Sequence, residues 1–67
     1  MIPPWNAHPH IHAGSIGWRM GSGEDYLAEF SEWFARKHAD AKRRYADDNP
    51  EPLGWEGFYT RRGVTAA

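Results

Sequence analysis

The middle of the chain has hydrophobic residues at helical spacing. When residues 24–48 are placed at steps of about 100°, the large hydrophobic positions fall in one arc and most charged positions lie outside it. This pattern predicts one long amphipathic helix over residues 23–48. The hydrophobic arc contains Tyr26, Leu27, Phe30, Trp33, Phe34, Ala41 and Tyr45.

Both ends of the predicted helix carry the expected signals. Ser22 is followed three residues later by Asp25, which is a capping-box pattern. Asn49 precedes Pro50, and proline disfavours the α conformation in the residue before it. We therefore expect the helix to begin near Gly23 and to end at Asp48.

The two halves of this helix differ in character. Lys37, His38 and Arg44 interrupt the hydrophobic arc in the second half. A helix of about 24 residues is about 36 Å long, whereas a compact chain of this size has a radius of gyration of about 11 Å. We therefore expect the first half to face the core and the second half to project or to contact another chain.

The flanking segments are rich in turn-forming and aromatic residues. Residues 1–22 form an arm rich in proline, histidine and glycine, in which a short β-hairpin within residues 10–20 or an irregular wrap are both compatible with the pattern. Residues 49–67 form an aromatic C-terminal arm. The fold class that follows is mainly α: a single small domain over residues 1–67, with one long helix and two arms packed on its N-terminal half.

Composition narrows the functional classes. The 67 residues include ten aromatic side chains and no cysteine, so neither a disulfide nor a thiolate metal site is available. The net charge of −1 gives no bulk attraction to nucleic acid or anionic lipid. No stretch reaches the roughly 18 apolar residues of a membrane span, and no signal-peptide pattern is found. We expect a cytoplasmic protein without a membrane partner.

Motifs for catalysis and for phosphate binding are missing from the sequence. The serines lie outside any nucleophile-elbow pattern, and the glycines before the helix match neither the dinucleotide fingerprint nor the Walker sequence. We therefore expect no enzymatic activity and no cofactor.

Three alternating histidines suggest a different class of site. In an extended segment His8, His10 and His12 would share one face, and two imidazoles at this spacing can bind one Zn²⁺. Pro9 disturbs a regular strand between the first two histidines. Polar loop residues that bond to the backbone are the simpler interpretation, so zinc binding is kept as an alternative.

Two basic clusters allow a third interpretation. Residues 42–44 read Lys-Arg-Arg, and Arg61 is followed by Arg62, with aromatic residues between the clusters. Such groups can hold single-stranded nucleic acid weakly through phosphate contacts and stacking. Acidic residues are interleaved with them, however, so we expect solvated charge in preference to nucleic-acid binding.

A protein interface is the function class that the aromatic content favours. Tryptophan, tyrosine and arginine dominate interface hot spots, and the chain has more large aromatic residues than one helix and two short arms need. The partner would be another protein or a second copy of this chain. Six residues are predicted to bind it: Trp5, Arg44, Tyr45, Trp55, Phe58 and Tyr59.

An alternative for the last three of these residues is a core position. Trp55, Phe58 and Tyr59 would then fold back on the first half of the helix.

Small size, the lack of catalytic motifs and the lack of cysteine are shared by many inhibitors that phages and mobile elements encode, anti-CRISPR proteins among them. An inhibitor of that kind is one form that such a binding module can take.

Overall fold

A computed structural model describes residues 1–64 of the chain and is mainly α-helical there. The helices are α1 (Pro4–Ala7), α2 (Ser22–Ala35) and α3 (Ala39–Asp48), with short 3-10 helices at Ile16–Trp18 and Thr60–Arg62. No strand occurs within residues 1–64. The contacts form two compact units, one of residues 1–32 and one that begins at Trp33. The organisation as one domain stays a prediction.

The predicted single helix over residues 23–48 is wrong, because the helix ends at Ala35 and a new one begins at Ala39. The break allows the rings of Phe34 and Tyr45 to meet, with 5.6 Å between their centroids. In a continuous helix these two residues would be about 16 Å apart along the axis. Aromatic contact within the second unit therefore accounts for the break between α2 and α3.

The turn between α2 and α3 is short and well defined. The backbone N–H of Lys37 donates to the carbonyl of Phe34 at 3.1 Å, which closes the last turn of α2. His38 then adopts an extended conformation, with φ −69° and ψ 160°, and α3 starts at the next residue. Asp40 lies in the first turn of α3, where the positive end of the helix dipole favours a carboxylate.

Of the two alternatives for residues 10–20, the structure has the irregular wrap and not the β-hairpin. Successive tight turns replace it: Ile11 N–H donates to the His8 carbonyl at 3.1 Å, and Ser15 N–H donates to the His12 carbonyl at 3.0 Å. The side chain of Ser15 then caps the first 3-10 helix by accepting a hydrogen bond from Gly17 N–H. These local bonds use N–H groups that a strand ladder would need.

The first unit has a small core around α2. Trp18 and Phe30 are buried, and so is Pro4 at the start of α1. Gly23 lies so close to the backbone of Gly17 that a Cβ atom would meet its carbonyl oxygen at 2.2 Å. Only glycine allows α2 to approach the segment before it this closely.

The second unit has an aromatic core. Phe34 from the end of α2 and Phe58 and Tyr59 from the tail are buried. The ring centroids of Phe34 and Tyr59 are 5.8 Å apart, and those of Phe58 and Tyr59 are 5.3 Å apart. Both distances are in the range that aromatic pairs favour. The tail therefore completes this core. For Phe58 and Tyr59 this agrees with the alternative interpretation, in which the aromatic residues of the tail fold back into a core position.

The predicted outer ends of the helical region agree with the structure. α2 begins at Ser22, and α3 ends at Asp48, one residue before the Asn-Pro pair. Asn49 stops α3 with two hydrogen bonds to the Tyr45 carbonyl, one from its backbone N–H at 2.9 Å and one from its Nδ2 at 3.1 Å. Within residues 1–64 no helix is both long and apolar enough to cross a membrane.

Candidate functional site

An open groove of about 210 Å³ lies along α3 in the second unit. Its lining combines the aromatic ring of Tyr45, the methyl group of Ala41 and charged side chains. The groove is lined by Lys37, Ala41, Arg44, Tyr45 and Asp48.

Helical spacing explains why these residues share one face. Ala41 and Tyr45 are four residues apart, and Asp48 follows three residues after Tyr45. Side chains three and four residues apart on a helix are neighbours. Lys37 precedes α3 and extends the same row from the turn.

The position of Lys37 is fixed by an aromatic ring. Its Nζ atom lies 4.2 Å from the centroid of the Trp33 ring, a cation–π distance. Arg44 is exposed at the groove, and Asp48 supplies one carboxylate. The lining therefore carries two cations and one anion, so the groove favours a ligand with negative charge.

Tyr45 joins the groove to the core. Its ring meets that of Trp33 at 5.5 Å and that of Tyr59 at 6.1 Å, both edge to face. The residue is half-buried and also lines the groove. Its ring therefore forms an apolar wall that the core holds in place.

Of the six residues predicted to bind a partner, two line the groove. Arg44 and Tyr45 line the groove. Trp55 is half-buried, with its ring 5.5 Å from that of Phe58. Trp5 is half-buried and belongs to α1 in the first unit.

Phe58 and Tyr59 do not offer the exposed surface that the partner-binding prediction required. They are 1% and 5% exposed, respectively. The physical reason is that the tail folds back: Glu51 accepts a hydrogen bond from Tyr59 N–H at 2.8 Å, and Tyr59 Oη donates to the Asn49 carbonyl at 2.6 Å. These bonds turn both rings inward.

The basic pair of the tail is only partly available to a ligand. The guanidinium of Arg62 lies 3.9 Å above the Phe58 ring and donates to the Phe58 carbonyl at 3.1 Å. Burial lowers the pKa of Arg62, and the neighbouring charge of Arg61 lowers it further. Arg62 therefore packs against the core of the second unit, which weakens the nucleic-acid interpretation of this cluster.

Zinc binding by the histidines of the first unit stays a prediction. His8 packs its ring against those of Trp18 and Tyr26, at 6.0 and 5.4 Å. His10 and His12 are exposed. Across the part of the chain that the structure describes, no group of three histidine, cysteine or acidic side chains is placed to hold a metal ion.

Sequence reasoning missed three residues of the groove. In the sequence Lys37 interrupts the hydrophobic arc, Ala41 belongs to that arc, and Asp48 is the last residue of the predicted helix. A signal was present, because Ala41, Arg44, Tyr45 and Asp48 follow the three- and four-residue spacing of one helix face.

Comparison with protein-family models, with curated proteins and with solved structures gives no match for this chain.

Proposed function

We propose that this chain is a non-enzymatic protein-binding module whose groove on α3 binds an acidic and partly apolar segment of a partner protein. The observation that supports the proposal most directly is that Arg44 and Tyr45 line one groove with Lys37. Tyrosine and arginine are among the residues that contribute most to binding at protein interfaces. Here an exposed guanidinium lies beside a ring whose position is fixed by the core.

The chemistry of the lining defines the expected ligand. A guanidinium binds a carboxylate through two parallel hydrogen bonds, and the lysine adds a second cation. The Tyr45 ring and the Ala41 methyl group offer apolar contact between these charges. A peptide with an aspartate or glutamate next to a hydrophobic residue matches both features.

A protein ligand is favoured over a nucleic acid because aromatic faces in this unit are already occupied. Lys37 covers one face of Trp33, and Arg62 covers one face of Phe58. Single-stranded nucleic acid gains much of its affinity by stacking bases on aromatic side chains. The faces that these cations cover are not available for stacking.

Selection from a displayed library of random peptides tests the proposal. Wild-type protein serves as bait, and Arg44→Glu serves for counter-selection. We expect enriched peptides that pair an acidic residue with an apolar one and that bind Arg44→Glu at least about tenfold more weakly. Arg36→Glu is the matched control, since Arg36 is exposed and outside the groove lining.

Two results would overturn the proposal. One is that the selected peptides bind Arg44→Glu and wild type equally well. The other is that no peptide is enriched while a labelled single-stranded oligonucleotide binds wild type and not Arg44→Glu. Far-UV circular dichroism confirms that both variants keep their helices.

A further inference from the structure

A single leucine protrudes from the tail of the second unit. Leu53 is 95% exposed, more than any other large hydrophobic residue described. It lies in a tight turn in which Trp55 N–H donates to the Pro52 carbonyl at 3.0 Å. We call residues 51–57 the Leu53 loop.

The Leu53 loop is held in one conformation by two carboxylates. Glu51 accepts hydrogen bonds from the N–H groups of Gly57 and Tyr59, at 3.2 and 2.8 Å. Glu56 accepts one from Gly54 N–H at 2.6 Å. A loop that is ordered before binding loses less conformational entropy in a complex. The exposed leucine is therefore a preorganised anchor.

Two glutamates belong to this part of the tail, and one cation lies against it. Residues 49–60 contain Glu51 and Glu56, and the Arg61 guanidinium donates to the Glu56 carbonyl at 3.5 Å. Both carboxylates accept hydrogen bonds from the backbone, and Glu56 is the exposed one of the two. The loop therefore presents a convex apolar side chain with an acidic neighbour.

The groove on α3 has the complementary features. It is concave, its volume of about 210 Å³ is large enough for one branched aliphatic side chain, and Tyr45 and Ala41 supply apolar contact. Lys37 and Arg44 supply the positive charge. Because Leu53 is almost fully exposed, it does not fill the groove of its own chain.

We propose that the occupant of the groove is the Leu53 loop of a second copy of this chain. Leu53 of one copy inserts between Tyr45 and Ala41 of the next, and Glu56 faces Lys37 and Arg44. This inference rests on the proposed function of the groove and names its partner. The contact joins two different surfaces, so each copy keeps one free loop and one free groove.

Such an association has a recognisable dependence on concentration. A contact between unlike surfaces adds further copies until it closes a ring, whereas a two-fold contact stops at the dimer. One anchor in one groove also buries less area than a standard interface, so the affinity is low. Analytical ultracentrifugation up to the millimolar range should show an average mass that rises past that of a dimer.

Two variants at exposed positions separate the loop from the groove. Leu53→Asp removes the anchor and keeps the groove. Arg44→Glu disrupts the groove and keeps the Leu53 loop. We expect each variant alone to associate at least about tenfold more weakly than wild type. An equimolar mixture of the two should form a dimer and stop there, because one intact loop and one intact groove remain.

Matched controls exclude general effects of surface charge and hydrophobicity. Ile16→Asp changes an exposed hydrophobic residue of the first unit, and Arg36→Glu changes an exposed cation outside the groove lining. Both should associate as wild type does. Circular dichroism verifies the fold of all four variants.

The outcomes distinguish this inference from the proposed function. If wild type is a monomer at every concentration while peptides that require Arg44 are selected, the loop is not the ligand and the groove function stands. If wild type associates but the mixture of variants does not pair, the loop-in-groove contact is wrong. If wild type stays monomeric and no peptide is selected, both proposals fail.

Discussion

Tyr59 contributes three kinds of contact to the second unit. Its hydroxyl donates to the Asn49 carbonyl at 2.6 Å, its backbone N–H donates to Glu51 at 2.8 Å, and its ring packs on Phe34. Burial raises the pKa of its phenol well above the usual range, and Tyr45 and Glu51 raise it further. The folded state therefore holds this phenol in its neutral form.

This shift predicts a loss of stability at alkaline pH. The pKa of Tyr59 is higher in the folded chain than in the unfolded chain, where it is about 10. Its contribution to stability is complete below pH 10 and declines as the pH rises through the unfolded pKa towards the folded one. Urea unfolding at a series of pH values should show a midpoint that is constant near neutrality and falls above about pH 10.

Tyr59→Phe separates the hydroxyl from the ring. It should lower the free energy of unfolding at neutral pH by about 1 kcal/mol, because the bond to Asn49 is lost. It should also flatten the alkaline decline. Tyr26→Phe is the control: the pKa of Tyr26 is also raised by burial and by Glu29, but this variant keeps the Tyr59 part of the decline. An unchanged alkaline profile in Tyr59→Phe would contradict the assignment.

Glu51 is the second residue on which the tail depends. Its carboxylate accepts from two backbone N–H groups, those of Gly57 and Tyr59. Glu51→Ala should cost about 1–3 kcal/mol, since both donors lose their acceptor. Glu51→Gln should cost less, because its amide oxygen can still accept. Glu56→Ala is the comparison at an exposed position with one such bond. Equal losses for the two alanine variants would refute a special role for Glu51.

At the scale of elements, the turn between α2 and α3 predicts how the chain responds to proline at residue 39. Ala39 is the first residue of α3, and His38 before it is extended. Proline is well tolerated at the first helical position, and it favours an extended residue before it. Ala39→Pro should therefore change the free energy of unfolding by less than about 0.5 kcal/mol, as measured by urea unfolding.

The same substitution would be severe if the helix were continuous. Proline in a helix interior costs about 3 kcal/mol or more. Ala28→Pro provides that comparison, because Ala28 is exposed in the middle of α2. A large loss of stability in Ala39→Pro, comparable to that of Ala28→Pro, would mean that residues 35–39 are helical.

The break illustrates what periodicity can and cannot predict. The helical character of residues 22–35 and 39–48 and both outer ends could be predicted, because capping residues and spacing are local properties. At steps of about 100° per residue, Tyr45 falls in the same arc as Phe34. This is true both of one continuous helix and of two helices separated by a break, so the pattern cannot distinguish them. Only the contact between the two rings, which joins residues distant in sequence, decides between them.

The candidate site was predictable to a similar degree. Arg44 and Tyr45, which line the groove, could be proposed as partner-binding residues because large aromatic and guanidinium groups are typical of interfaces, and that role stays a prediction. For Phe58 and Tyr59 the sequence left both a core and an interface position open, because their burial depends on the bond from Tyr59 N–H to Glu51, eight residues away. Hydrophobic spacing carries no signal for a backbone–carboxylate contact of that kind.

At the scale of the whole molecule, the net charge of −1 conceals an uneven distribution. Residues 1–32 contain one arginine and four acidic residues, and seven of the eight lysines and arginines follow in the remainder with five acidic residues. The second unit is therefore basic and the first acidic. This asymmetry fits a groove that selects a negatively charged ligand.

The second unit offers too little accessible positive charge to bind a polyanion strongly. Arg62 lies over a ring of its own chain, and acidic residues stand between the other cations. Few phosphate or sulfate groups can then be neutralised, so the affinity for a polyanion is low and moderate salt is enough to abolish binding. On a heparin column the chain should elute below about 200 mM salt. Asp47→Asn removes one interleaved carboxylate at an exposed position and should elute later. Retention of wild type beyond that salt concentration would instead indicate that nucleic acid competes with protein for this unit.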